Sequence, residues 1–167
     1  MSEHILRLIR EELQAVAVTQ ISHQKLSTVS SIISRLMSRL HELDDAGRKL
    51  AFATLGRIEQ DVKVLASLRV LKTIAHSSVP QDSVDSDVLR ILSSVLKAEE
   101  ALLSPLVVKH GQKVAFLFSK DCTIRDKTYR RGDLAFITPL DLVLAYIGEC
   151  GEALREVFYN YYRQRQS

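Results

Sequence analysis

Apolar residues recur at three- and four-residue steps through the first hundred positions, which is the spacing of amphipathic helices. The first stripe comprises Ile5, Ile9, Leu13 and Val16. The second comprises Leu26, Val29, Ile33, Leu36, Leu40 and Leu43. A break at residues 21–24 separates them, so the pattern predicts two helices that each bury one face.

A third, long helix is predicted after Asp44 and Asp45, because short carboxylates accept hydrogen bonds from the unpaired amides of a first turn. Its apolar face comprises Leu55, Ile58, Val62, Leu65, Leu68 and Leu71 and continues toward Ile74. Pro80 cannot continue a helix and therefore predicts a loop at residues 77–83. A fourth helix is predicted from Asp85 or Ser86 to Ser104. Its expected buried residues are Val88, Ile91, Leu92, Val95 and Leu102.

Short strands are predicted after Pro105. Residues 113–118 form an apolar and aromatic run between a glycine and polar residues, as a strand does. Residues 128–130 and 134–137 indicate two more strands around a tight turn at Gly132. Thr138 and Pro139 then supply a capping hydroxyl and a first-turn proline, which predict a helix that ends near Gly148 or Gly151.

These elements predict an α+β protein, with a four-helix bundle-like domain followed by a small β-rich module. The helical domain is placed at residues 1–104, a linker at 105–112 and the β-rich module at 113–158. Residues 159–167 form an aromatic and basic tail.

The tail has two alternative interpretations. It places Tyr159, Tyr161 and Tyr162 beside Arg163, a combination suited to contact with a partner. Packing of these rings back onto their own module is equally favoured.

The net charge of +3 lies entirely in residues 106–167, because residues 1–105 carry equal numbers of acidic and basic side chains. The basic residues cluster at Arg125, Lys127, Arg130 and Arg131. Three aspartates lie among them and lower the positive electrostatic potential, so a mixed polar surface is favoured over a nucleic acid site.

The two cysteines, Cys122 and Cys150, are expected to be reduced and buried, because neither lies in a CxxC pair or near a closely spaced histidine. The N-terminus lacks the pattern of a signal peptide, and no stretch approaches the roughly 18 apolar residues that suggest a membrane span. We therefore expect a soluble, intracellular protein with no membrane partner.

Catalytic chemistry is not indicated. The chain has no phosphate loop, dinucleotide fingerprint, nucleophile elbow or HExxH helix, and its five histidines are widely scattered. The acidic pairs Glu11-Glu12, Asp44-Asp45 and Glu99-Glu100 are interpreted as solvated faces and helix caps. We expect no enzyme activity, metal or cofactor.

The third helix carries surplus apolar surface. Residues 62–71 place apolar side chains on more than one side, whereas a helix in a four-helix monomer needs one wide apolar face. The surplus predicts a subunit interface.

Two segments resemble the GINS family, whose subunits form a four-part replication factor that works with the MCM helicase. Glu59 followed by residues 68–74 (LRVLKTI) is similar to the family's long helix, which ends in an arginine and a lysine three apart. Residues 129–139 and the apolar helix to Gly151 are similar to the family's small β module. The helical-first order resembles the archaeal subunit type.

The resemblance implies no active site, a heterotetramer with a second GINS subunit type, and a β module that contacts MCM or a RecJ-like protein. It implies a cytoplasmic archaeal protein associated with chromosomal DNA, with a weak direct DNA contact left open. The implied subunit-interface residues are Glu59, Leu65, Leu68, Arg69 and Lys72. The residues implied to shape the β module or contact its partner are Tyr129, Gly132, Asp133 and Pro139.

A small nucleic-acid-binding regulator is the alternative function. It would use the basic residues at 125–131 and the tyrosines of the tail, and it predicts steeply salt-dependent DNA binding by the isolated chain.

Overall fold

The computed structural model describes residues 3–76 and 79–155 of the 167-residue chain. The helices in these ranges are α1 Glu3–Gln14, α2 His23–Ser38, α3 Asp45–His76, α4 Ser86–Leu103 and α5 Pro139–Ile147. The strands are β1 Lys109–His110, β2 Lys113–Phe118, β3 Cys122–Ile124, β4 Lys127–Tyr129, β5 Leu134–Ile137 and β6 Gly151–Ala153. The predicted α+β class is confirmed. The predicted tail at 159–167 lies outside the described residues.

The chain divides into two compact units, residues 1–89 and 90–167. This division falls inside α4, whereas the sequence predicted a boundary at residue 104. The C-terminal half of α4 belongs to the second unit because Ala98 and Ala101 are buried in its core. Val107 joins the same core and β1 pairs with β2, so the predicted linker at 105–112 is part of the β module.

The first unit packs α1, α2 and α3 around one apolar core. Asp44 caps α3 as predicted, since its Oδ1 accepts from the Gly47 amide at 2.8 Å. The core residues are Ile5, Leu8, Ile9, Ile21, Val29, Ile58 and Leu65. Only the first turn of α4 lies in this unit, so the described part of the predicted four-helix bundle contains three complete helices.

Part of the predicted apolar stripes is wrong. Leu13 and Val16 are exposed, because α1 ends at Gln14 and its buried face continues instead to Glu12. Other predicted apolar positions are also exposed rather than buried: Val88, Ile91 and Val95 of α4, and Val62, Leu71 and Ile74 of α3.

The second unit is built on β2, the central strand of its antiparallel sheet. β5 pairs along one edge of β2, with Val114 opposite Ile137, while β1 and β6 pair along the other edge. The inward side chains of β2 are Val114, Phe116 and Phe118, and they share a core with residues from α4 and α5. Burial of these aromatic and branched side chains is the main stabilising term of the unit.

The predicted hairpin between residues 128–130 and 134–137 is wrong. β4 pairs with β3, a strand that was not predicted, and β5 pairs with β2. The chain changes partner at Gly132, whose amide donates to the Phe118 carbonyl at 2.7 Å, while the Phe118 amide donates to the Asp133 carbonyl at 2.9 Å. Gly132 has a φ of 90°, which glycine adopts at little cost.

Helix α5 begins as predicted. Thr138 is its N-cap and Pro139 lies in its first turn. The Thr138 hydroxyl accepts from the Asp141 amide at 3.3 Å and donates to the Asp141 carboxylate at 2.7 Å. The helix ends at Ile147 and is followed by Gly148, also as predicted.

The expectation of reduced cysteines is wrong for this structure, because Cys122 and Cys150 form a disulfide. The start of β3 and the turn after α5 lie side by side, with the two Cα atoms 5.9 Å apart. A loop of 28 residues closed in this way stabilises the folded state by about 3.5 kcal/mol in the chain-entropy model. The pairing was not readable from the sequence because it depends on how the strands are arranged.

Replacing Gly151 with alanine should destabilise the second unit. A Cβ at this position would lie 2.0 Å from the Leu117 carbonyl oxygen, so β6 would have to move away from β2. We expect the free energy of unfolding, measured by urea titration, to fall by about 3 kcal/mol. Gly56→Ala is the matched control, because nothing lies within 4 Å of that Cβ and alanine favours the helix by roughly 1 kcal/mol. A Gly151→Ala protein as stable as the wild type would contradict the pairing of β6 with β2.

Candidate functional site

A buried arginine joins four segments of the first unit. Arg69 in α3 is 2% exposed. One Nη donates to Glu12 Oε2 at 2.9 Å and to the Thr19 carbonyl at 2.7 Å. The other Nη donates to Ser83 Oγ and to Asp85 Oδ1, and Nε donates to Asp85 Oδ2. All five donors of the guanidinium are therefore occupied inside the protein.

Lys72 holds the end of α1 in a similar way. It lies one turn after Arg69, on the same face of α3. Its Nζ lies 3.3 Å from Glu12 Oε1, and it donates to the carbonyls of Glu12, Ala15 and Ala17. A cation at these carbonyls satisfies the unpaired acceptors of a helix C-terminus and opposes the negative end of its dipole.

The network is neutral, with Arg69 and Lys72 balanced by Glu12 and Asp85. Burial raises the pKa of Asp85, but the hydrogen bonds from Arg69 and Ser83 and the positive charge of Arg69 outweigh it and hold that pKa below its ordinary value. Asp85 is therefore ionised at neutral pH and opposes the guanidinium charge. Since every guanidinium donor is used internally, the network stabilises the fold and offers Arg69 to no external ligand. We call these residues, with Thr19 and Ser83, the buried ion network.

Glu12 was not among the residues predicted to be buried or functional. It was interpreted as solvated together with Glu11, but its side chain is fully buried. Its position was the available signal, since it lies four residues after Leu8 and three after Ile9, on the same helical face. A carboxylate on an apolar stripe requires a buried cation.

The predicted subunit-interface residues occupy two different environments. Leu65 and Arg69 are buried within the first unit, and Leu68 packs against the same core. Lys72 is bound to the end of α1, so these four residues are internal contacts. Glu59 alone is exposed, and it forms an ion pair with Lys63 at 3.0 Å.

A different side of α3 is exposed and apolar. Leu71 is 60% exposed, Val64 49% and Ile74 46%. At about 100° per residue these three side chains lie within about 80° of one another, on the side opposite Ile58 and Leu65. We call Val64, Leu71 and Ile74 the outer stripe.

The predicted β-module residues shape the turns around β2. The Tyr129 ring stacks on Phe118 with ring centroids 4.2 Å apart. Asp133 accepts from the Arg130 amide at 2.8 Å and, with Gly132, forms the turn into β5. Pro139 starts α5. These contacts are internal to the module.

Two aspartates of the basic cluster around β3 and β4 are bound to backbone amides. Asp121 and Asp133 accept from the backbone amides of Arg131 and Arg130 rather than from side chains. Arg125 pairs with Asp141 at 3.3 Å. The side chains of Arg130 and Arg131 are exposed.

Within residues 3–76 and 79–155, no group of His, Cys, Asp and Glu side chains could hold a metal ion. No helix in the described part of the chain is long and apolar enough to cross a membrane. The chain matches no protein-family model, and a search of curated proteins finds no significant relative.

Replacing Arg69 with methionine should destabilise the first unit strongly. The substitution leaves the fully buried Glu12 without its closest cation, and breaking a buried pair in this way costs about 3–5 kcal/mol. The free energy of unfolding from urea titration measures the loss. Arg57→Met is the control, because Arg57 is exposed on the same helix and its replacement should change stability by less than about 0.5 kcal/mol. Equal effects of the two substitutions would contradict a structural role for Arg69.

The interaction of Asp85 with Arg69 should make stability depend on pH. Because the folded pKa lies below the unfolded one, its contribution is complete above about pH 4 and is lost as pH falls through the folded pKa. We expect Asp85→Asn to be less stable than wild type at pH 7 and the difference to shrink below about pH 4. Unfolding titrations from pH 7 to pH 2 measure this, with the exposed Asp82→Asn as control. A difference that is independent of pH would contradict the ion pair.

Proposed function

We propose that the chain is a non-catalytic subunit of a GINS-type replication assembly, in which its helical unit packs on a second subunit type in a heterotetramer. Its β module contacts MCM or a RecJ-like protein, in the cytoplasm and near chromosomal DNA. The proposal rests on the resemblance of residues 59–74 and 129–151 and on one feature of α3.

That feature is an inverted arrangement of polar and apolar residues in the last third of α3. The inner side carries Arg69, Lys72 and the buried Thr73, whereas the outer stripe carries Val64, Leu71 and Ile74. A helix of an isolated soluble domain places its apolar residues inward. The inner side is already packed by these polar residues together with Leu65 and Leu68, so large apolar side chains on the outer side indicate a surface that another protein covers.

The interface is therefore assigned to the outer stripe and not to the network residues. Arg69 and Lys72 contribute indirectly, because they fix the end of α1 against α3 and so define which side of α3 faces outward. In this proposal Arg69 and Lys72, which lie three residues apart, support assembly through the fold of the first unit and do not touch the partner.

Assembly can be tested by mixing the chain with a second GINS-type subunit and measuring the mass of the complex by light scattering. We expect a stable complex of four chains, and we expect Leu71→Glu to weaken it by more than about tenfold, since a charge replaces an apolar contact at the interface. Val88→Glu is the matched control, because Val88 is an apolar residue of similar exposure outside α3. A wild-type chain that stays monomeric with that subunit would refute the proposal.

The same experiment separates the second candidate function, a nucleic-acid-binding regulator. The observation that favours it is the exposure of Arg130 and Arg131, whose neighbours Asp121 and Asp133 bind backbone amides rather than the arginine side chains. Tight DNA binding that weakens steeply with salt, in a chain that ignores the second subunit, would support this candidate instead.

A further inference from the structure

The second unit contains a cleft of about 860 Å³ beside β6. Side chains from the end of α4, the turn after α5 and β6 line it. Its volume lies in the range of sites that bind a small molecule or a few large side chains. Polar and apolar groups contribute to its walls.

Three glutamates give the cleft its charge. Glu100, Glu149 and Glu152 line it, and all three are exposed. Lys97 and Arg155 also line the cleft, so the glutamates outnumber the cations. The cleft therefore favours a ligand that brings positive charge.

The remaining wall suits aromatic or apolar groups. Leu117, Tyr146 and Leu154 contribute to it. The Tyr146 hydroxyl accepts from the Ala153 amide at 3.3 Å. Burial, together with the negative charges of Glu152 and Glu100, raises the pKa of Tyr146, so this side chain is neutral at physiological pH. An occupant that combines rings with cations would match both parts of the cleft.

The chain itself supplies such a segment directly at the cleft. Arg155, which lines the cleft, is the last described residue, and residues 156–167 follow it. This segment contains four aromatic residues at positions 158–162, followed by Arg163 and Arg165. The eight residues from Glu156 to Arg163 reach at most about 28 Å, which is ample for either arginine to meet a cleft glutamate. Tethering raises the effective concentration of such a segment.

We propose that the cleft binds the chain's own C-terminal segment, residues 156–167, with its aromatic rings against Leu117 and Tyr146 and its arginines paired with Glu149 and Glu152. The inference is independent of the proposed assembly function. It assigns the aromatic tail to an intramolecular site and selects between the two alternatives that the sequence leaves open.

The test uses the full chain and nuclear Overhauser contacts between the tail aromatic protons and the Leu117 methyl groups. We expect these contacts in the wild type at all protein concentrations.

Arg163→Glu/Arg165→Glu and Glu149→Lys/Glu152→Lys should each lower the ratio of bound to free tail by about tenfold. Combining the four substitutions exchanges the charges and should restore the contacts. Glu42→Lys/Glu99→Lys is the matched control, because both glutamates are exposed and neither lines the cleft.

Three results would overturn the proposal. The first is the absence of these contacts in the wild type. The second is contacts that the charge reversals leave unchanged. The third is contacts between differently labelled copies that grow with concentration, which would mean that the segment occupies the cleft of a second molecule. None of these results depends on whether the chain assembles with a GINS-type subunit.

Discussion

The burial of Arg69 is the constraint on which the first unit depends. A guanidinium removed from water is tolerated only when its charge and its donors are matched, and here the partners come from positions 57 residues earlier and 16 residues later in the chain. Glu12, Thr19, Ser83 and Asp85 must all be in place for the arginine to be satisfied. The end of α1, the connection to α2 and the segment before α4 are therefore positioned by one side chain of α3. Apolar residues of similar volume often stabilise a fold as much as a buried ion network does. The distinctive effect of this network is therefore that it fixes which side of α3 faces inward.

The orientation of α3 explains why the apolar periodicity predicted where the helices of the first unit lie better than it predicted which side of each helix is buried. Asp44 as a cap and the limits of α3 and α4 follow from local chemistry, and the structure confirms them. The face of α3 could not be assigned in the same way, because the pattern treats Leu71 and Ile74 as core positions and charged residues as outward ones. A buried ion pair reverses this rule where Arg69 and Lys72 turn inward. Glu12 on the apolar stripe of α1 was the one local sign of the reversal.

In the second unit, local sequence patterns again predicted where strands and helices lie, but they did not predict which strands pair with each other. The strands at residues 113–118 and 134–137 and the capped start of α5 were readable because they depend on neighbouring residues. The pairing of β4 with β3, the return of the chain to β2 at Gly132 and the Cys122–Cys150 disulfide depend on residues brought together by the sheet. The same is true of the cleft, whose glutamates come from α4 and from both sides of Gly151. Sequence spacing carries little information about such contacts.

The outer stripe is too small to form a stable interface by itself. Covering one partly exposed Leu or Val stabilises an interface by about 1 kcal/mol, so Val64, Leu71 and Ile74 together supply only a few kcal/mol. Association costs at least about 4 kcal/mol in lost freedom of motion, and stable interfaces use roughly 20–30 residues a side. The stripe can thus be the centre of an interface but not the whole of it. The exposed Leu50 and Phe52, near the start of the same helix, are separated from the stripe by the exposed polar residues Arg57, Gln60 and Lys63. A protein that covered the outer stripe would therefore need further contacts outside it, either along α3 or on neighbouring elements of the first unit.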